Sequence, residues 1–308
     1  MSDMPRTTIE HQGLEWTNII QPTEDDTTHL KTKYGFHYFD LRDCLSVTES
    51  PKLDIYDKYL FIVFHFPDYD RKEKRMIYRR LNVFIGDGFL VTLHKGEFDA
   101  VEGMMNYVQE NIEPRNQFMG KGSGYLLYNL INPIFKKAFP MVDKIGENLR
   151  GIEEDIYSDK TIDVVKELAM ERRNILNFRR IIEPQRFLID TMVHLKRGFL
   201  GTDSDIYFDD IHDHIERIWM LLENYREIVR GLSDTNDALI SHKMNETMKM
   251  LTLISVCLLP LTLIASIYGM NVTGLPFAES PAAVWGFFVI MVSLIAGTVI
   301  YFRKRGLI

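Results

Sequence analysis

Two long uncharged stretches near the C-terminus constrain this chain more than any other feature. Met250 to Tyr268 runs for 19 residues without a charge, and Ala283 to Phe302 for 20. A helix rises about 1.5 Å per residue, so about 20 apolar residues cross a hydrocarbon core about 30 Å thick. The bland alternative is a pair of buried core helices, but uncharged runs of this length are the usual membrane signal. Gly269 to Ala282 link the two spans, and Gly274, Pro276 and Pro281 make the link a loop rather than a third helix. A short link forces a hairpin, with both chain ends on one side. Lys243, Lys249 and Arg303-Lys304-Arg305 flank the spans on that side, whereas the loop has no Lys or Arg and only Glu279. The positive-inside rule then places residues 1–249 and the tail in the cytoplasm, as expected for a multi-pass inner (plasma) membrane protein. Tyr268, Trp285, Phe287 and Phe288 would lie near the outer interface, and Tyr301 and Phe302 near the inner one.

Composition excludes several other classes. The net charge of −7 gives no basic footprint for nucleic acid. Cys44 and Cys257 lie far apart and form no CxxC pair, so neither a zinc ribbon nor a redox pair is expected. The N-terminus, Met1-Ser2-Asp3-Met4-Pro5, carries no apolar core or cleavage pattern, and no secretory signal is expected.

The cytoplasmic part divides by periodicity. Residues 1–95 read as an α/β domain. Tyr59 to Phe64, Leu81 to Ile85 and Phe89 to Leu93 are rich in β-branched and aromatic residues, with a hairpin turn at Gly86-Asp87-Gly88. Residues 96–204 read as helical, with Ser123 to Asp159 and Thr161 to Lys196 expected as two long helices paired antiparallel. Residues 205–268 form one helix that runs into the first span, 250–268, without a breaking signal. Its apolar positions Phe208, Ile211, Ile215, Ile218, Leu222, Tyr225, Val229, Leu232 and Leu239 alternate by three and four and mark one packed seam, interrupted by Asn236. At 1.5 Å per residue such a helix is about 95 Å long, which suits a stalk. The loop 269–282, the second span 283–302 and the basic tail 303–308 complete the chain.

The first span carries a polar stripe. Alternate steps of three and four pick out Asn245, Met248, Thr252, Ser255, Leu259, Thr262, Ser266 and Gly269. Ser293 and Thr298 of the second span form no such stripe. Small and hydroxyl residues serve tight helix packing in membranes, and they equally serve a water-lined face. Two spans enclose no pore, so the second reading requires several copies around one axis. Pro260 removes the helical partner of the Val256 carbonyl, which a membrane helix tolerates as a slight bend.

At the outer end of this span, Tyr268-Gly269-Met270-Asn271 resembles the signature of the CorA family of magnesium transporters. The likeness extends through Met248-Lys249-Met250-Leu251-Thr252, Pro260-Leu261-Thr262 and Ile264-Ala265-Ser266-Ile267-Tyr268, and is strongest beyond residue 205. It implies an α+β membrane protein: an N-terminal α/β domain, a helical stalk and two C-terminal spans, assembled as a funnel-shaped homopentamer with the first span lining the pore. It also implies passive, potential-driven influx of hydrated Mg2+, and possible passage of Co2+. Magnesium sheds water reluctantly, so a mouth of neutral oxygens can grip the ion by its waters. Asn271 would supply side-chain oxygens, Gly269 a close backbone, and Met270 completes the motif. Glu279 would attract cations, or is an ordinary solvated charge. A divalent ion gains roughly 4.6 kcal/mol from 100 mV, so the path needs a gate. By similarity Met248 and Leu251 form a hydrophobic constriction near the cytoplasmic mouth, with Asn245 below. Leu259 stands where related chains often carry methionine.

Six acids, Asp203, Asp205, Asp209, Asp210, Asp213 and Glu216, open the stalk. Most suit a solvated helix N-terminus. The resemblance singles out Asp210 as the stalk aspartate that binds a regulatory Mg2+ between subunits, and Asp43 as its partner from the N-terminal domain. Arg42 replaces an acid frequently found there. Feedback follows: ions bridging Asp43 and Asp210 would hold a closed state when internal magnesium is high.

Other motifs fail. Gly120-Lys121-Gly122-Ser123-Gly124 has Arg115 at the first glycine position of a phosphate loop and Gly122 where Ser or Thr should follow the lysine, so a turn with Ser123 capping the next helix is expected. His212 and His214, two apart on a helix, make a poor metal pair. No catalytic motif appears, and no enzyme or organic cofactor is expected. Two competitors remain: a zinc or cobalt transporter of the ZntB branch, and a membrane-anchored sensor or scaffold that conducts nothing.

Overall fold

The strands form where β-branched and aromatic residues concentrate. The computed structural model describes residues 6–46, 50–158, 161–270 and 280–304, in two units that meet between Ser233 and Asp234. In the first unit, β1 (Arg6–His11), β2 (Leu14–Ile20), β3 (Lys52–Ile55), β4 (Tyr59–Asp70), β5 (Arg75–Gly86) and β6 (Phe89–His94) make one sheet in the order β1-β2-β6-β5-β4-β3. All neighbours are antiparallel except β2 and β6, which pair Trp16 with Leu90 and Thr17 with Val91 in parallel. The turn between β5 and β6 places Gly88 at φ +72, a region that glycine enters without steric cost.

Burial on both faces explains the near-continuous apolar run of β4. Tyr59, Phe61 and Val63 point to one face. There they join Phe84, Val91 and Leu93 of the sheet with Leu30, Phe36 and Leu41 from the segment holding α1 (Glu24–Tyr34) and α2 (Tyr38–Leu45). Phe64 and Phe66 point to the other face and meet Phe135, with ring centroids 6.3 and 4.6 Å away. Phe135 belongs to the helical layer of α3 (Asp99–Glu110), α4 (Ile112–Met119), α5 (Ser123–Lys136), α6 (Ala138–Tyr157) and α7 (Thr161–His194).

The segment expected as one helix from 123 to 159 is two. Pro140 supplies no N–H for the Lys136 carbonyl and its ring crowds that oxygen, so α5 ends and α6 begins at Lys137. The Ser123 expectation also fails. The α5 N-cap is Gly122, at φ +95. The Ser123 hydroxyl instead lies 2.8 Å from the carbonyl oxygens of Gly86 and Phe199. Its proton is drawn to these buried carbonyls, and its oxygen accepts no N–H of the first turn. Next to it, Gly124 touches the backbone of Leu200 so closely that a Cβ would overlap its carbonyl.

The long helix is α8 (Ser204–Tyr268). Its seam residues Phe208, Ile211, Ile215, Ile218 and Leu222 are fully buried. Arg186 of α7 grips Glu216 of α8 with two bonds of 2.6 and 2.9 Å, and Arg179 pairs with Glu223. Both guanidiniums also stack over Trp219, at 4.7 and 4.6 Å. In the second unit, the remainder of α8 is followed by α9 (Pro281–Lys304). Both helices are long and apolar enough to cross a membrane, and their apolar windows are not buried by the rest of the chain.

Candidate functional site

The two apolar helices pack as an antiparallel hairpin, and this decides which face of α8 is left over. Leu253, Cys257, Leu261, Ile264 and Tyr268 are its half-buried positions in this region. Tyr268 meets Phe287 of α9 with ring centroids 5.2 Å apart, and Cys257, Leu261 and Ile264 share a narrow crevice with Met291, Ile295 and Thr298. At 100° per residue these positions cluster on one side of α8. Thr252, Ser255, Leu259, Thr262, Ser266 and Gly269 cluster on the reverse side, and all six are exposed. Asn245, Met248 and Leu251 are exposed as well.

The hydroxyls on that outward face are bonded in one direction. Thr252 donates to the Met248 carbonyl (2.8 Å), Ser255 to Leu251 (2.9 Å) and Thr262 to Leu258 (3.0 Å). Each proton turns back to the helix, which leaves the oxygen lone pairs outward as acceptors. Pro260 is accommodated without ending α8. Gly269 closes the helix through its N–H to the Ala265 carbonyl (2.9 Å), and a Cβ there would stand 3.1 Å from that oxygen. Met270 follows and is exposed; Asn271 and Glu279 lie outside the described residues.

The two regulatory candidates sit in different surroundings. Asp43, on α2, is buried and holds Lys52 by a 2.6 Å bond to Oδ2, while its Oδ1 has the Arg42 Nε at 4.0 Å. Lys52 also holds Asp54 at 2.9 Å. Burial works against the Lys52 ammonium, but hydrogen bonds to Asp43 and Asp54 outweigh it and push its pKa up. Asp210, on α8, is exposed, and its Oδ2 accepts from Tyr128 Oη (2.8 Å) and Asn132 Nδ2 (3.0 Å). Among the described residues no bond or ion pair joins Asp43 to Asp210. The two histidines part as their spacing requires: His214 turns edge-on to Phe139, and burial lowers its pKa, while His212 lies 3.8 Å from Glu216 and 3.9 Å from Asp190.

One grouping escaped the sequence reading. Asp209, His212 and Asp213 bring one ligand atom each within 4.8 Å of the others. The available signal was their spacing of three and four on one helix, which places them on adjoining faces.

Comparison with known proteins follows the same architecture. The family model described as CorA-like Mg2+ transporter protein matches residues 11–304. YfjQ of Bacillus subtilis is 28% identical over 99% of this chain and 94% of its own. The cobalt/magnesium transport protein CorA of Thermotoga maritima is 28% identical over 97% of this chain and 82% of its own. The solved CorA magnesium transporter of Methanocaldococcus jannaschii superposes with a TM-score of 0.83 at 22% identity, covering 100% of this chain and 95% of that one. The α/β domain, the long helix and the two apolar C-terminal helices are those of that fold. The chain therefore belongs to the CorA family and is an integral membrane transporter of divalent metal ions.

Proposed function

We propose that five copies of this chain form a channel that admits hydrated Mg2+ down the membrane potential, with α8 lining the shared axis. The opposition of two faces on α8 carries the reading. Helix α9 takes the face of Leu253, Cys257, Leu261, Ile264 and Tyr268. The row of Thr and Ser oxygens on the reverse then meets lipid, a dry contact between copies or a wet axis shared by several copies, and water on such an axis supplies donors to its lone pairs. Magnesium keeps its waters, and those waters are hydrogen-bond donors. A row of outward acceptors suits them, and neutral oxygens release the ion more readily than carboxylates would. Gly269, Met270 and Asn271 form the selective mouth, Met248 and Leu251 the cytoplasmic constriction, and Leu259 lines the path between them. Residues 1–249 and the tail face the cytoplasm of a plasma membrane.

Shut-off by internal magnesium rests on Asp43 and Asp210 of neighbouring subunits. Both offer hard carboxylate oxygens, which fit the ion. On Asp210 both hydrogen bonds fall on Oδ2, so Tyr128 and Asn132 orient the carboxylate. On Asp43 the Lys52 ammonium competes for Oδ2. The doubly substituted Asp43→Ala, Asp210→Ala protein should keep conducting at internal magnesium levels that close the wild type.

Flux of Mg2+, Co2+ and Zn2+ through reconstituted protein, with internal magnesium chelated and an inside-negative potential, tests the whole reading. Magnesium flux that falls at least tenfold in Asn271→Ala supports it. Zinc flux driven by a proton gradient moves the chain to the ZntB branch. No cation flux at all makes it a sensor or scaffold.

A further inference from the structure

In the first unit, a groove of about 380 Å³ runs between the middle of α7 and the β4–β5 hairpin. Such a volume lies in the range of roughly 300–1,000 Å³ that small-molecule sites occupy. None of the side chains lining it is acidic, and two are guanidiniums, Arg75 of β5 and Arg180 of α7, both solvent-exposed. Arg180 makes no hydrogen bond or ion pair among the described residues. Arg75 has Glu73 at 3.5 Å, but both partners are exposed, so the pair contributes little and is readily exchanged. Asn177, three residues before Arg180, adds a half-buried amide on the same side of α7. The turn that joins β4 to β5 carries Arg71, Lys72 and Lys74 with only Glu73 against them, in a chain whose net charge is −7. The wall also holds one flat aromatic surface. Tyr78 is 42% exposed, and its ring lies against the buried His65 imidazole, with centroids 4.1 Å apart and planes 12° from parallel. One face of the phenol ring is thereby covered and its orientation fixed, which leaves the other face to the groove.

We propose that this groove binds a nucleotide, with its phosphates on Arg75 and Arg180 and its base stacked on Tyr78. Guanidiniums meet phosphate oxygens with paired N–H donors, and they stay charged at every physiological pH. A base offers a π-face to the Tyr78 ring, and stacking of this kind tolerates any base. The Asn177 amide both donates and accepts, which suits a sugar hydroxyl. Ile77 and Ile181 supply apolar wall to the sugar and base. A divalent cation fits poorly, because the groove offers no carboxylate and its charge is positive. A phosphate group alone would use the guanidiniums and leave the ring idle, so the ring separates the two ligands. The groove shares no residue with the conduction path or with Asp43 and Asp210, and it stands or falls separately from the transport reading.

Full-length protein in detergent and EDTA, titrated with ATP and followed by calorimetry and thermal unfolding, tests the proposal. The chelator removes any metal that would bridge the phosphates to acids elsewhere. Saturable binding with a raised Tm is expected, and inorganic triphosphate, which carries the charge without a base, should bind about tenfold more weakly. Tyr78→Ala should weaken ATP about tenfold and leave triphosphate unchanged, whereas Tyr78→Phe, which keeps the ring, should bind ATP like the wild type. Arg180→Gln should weaken both ligands about tenfold. The proposal is overturned if ATP gives no saturable response, if triphosphate binds as tightly as ATP, if Tyr78→Ala or Arg180→Gln binds ATP like the wild type, or if Tyr78→Phe loses as much as Tyr78→Ala.

Discussion

Asp43 shows how much one neighbour changes the chemistry of a residue. As a letter in Leu41-Arg42-Asp43-Cys44-Leu45 it is an acid of the right kind for a cation. In the fold it is a buried half of an ion pair with Lys52. Removing that ammonium should free the carboxylate for its ion. Lys52→Gln is therefore expected to lower the internal magnesium needed to close the channel by about tenfold, or about 1.4 kcal/mol. Magnesium titration of uptake in proteoliposomes measures it, and an unchanged midpoint would remove Asp43 from the feedback. His94 gives a second expectation of the same scale. It is 1% exposed at the end of β6, Nδ1 accepts from the Gly96 N–H at 3.1 Å, and burial depresses its pKa to about 4. Below its ordinary value of about 6.5 the unfolded chain takes up a proton that the folded chain refuses. The stability contributed by neutral His94 is complete above pH 6.5 and is lost as the pH falls through 4, by about 3 kcal/mol in all. Denaturant unfolding between pH 7 and pH 4 should show this slope and His94→Gln should flatten it.

Element boundaries were legible where a single residue enforces them. The strands around 59–64, 81–85 and 89–93 follow from β-branched and aromatic runs, and β4 and β5 extend further because they pair with each other along 12 residues each. The break at Lys137 was also in the sequence, in Pro140, but a proline in the first turn starts a helix as readily as it interrupts one. The close approach at Gly124 was not legible, since nothing local to that residue announces that the Gly198–Leu200 turn will lie against it. Gly124→Ala should force the two backbones apart and cost about 1–3 kcal/mol, as overpacking does. Thermal unfolding of the purified protein checks this; Gly151→Ala, where a Cβ meets nothing within 4 Å, is the control and should leave Tm unchanged or raised.

At the scale of the whole molecule the open matter is what stands opposite the hydroxyl face of α8. With Cys257 replaced by Ala, Thr262→Cys should react with a charged, water-soluble thiol reagent and be blocked by it. Leu261→Cys, on the face α9 covers, should not react. Equal protection of Thr262→Cys in the assembled protein would place the face in dry packing and end the pore reading; native mass spectrometry should give five subunits. The amino-acid order alone determined two membrane spans, their hairpin topology, the unbroken stalk helix and the polar stripe. These depend on period and on runs of like residues, which are properties of the chain itself. Which side of the first span the second one covers, and that Lys52 reaches Asp43, were decided only by tertiary structure. Such contacts join residues 9 to 40 positions or more apart, and packing rather than local spacing selects them.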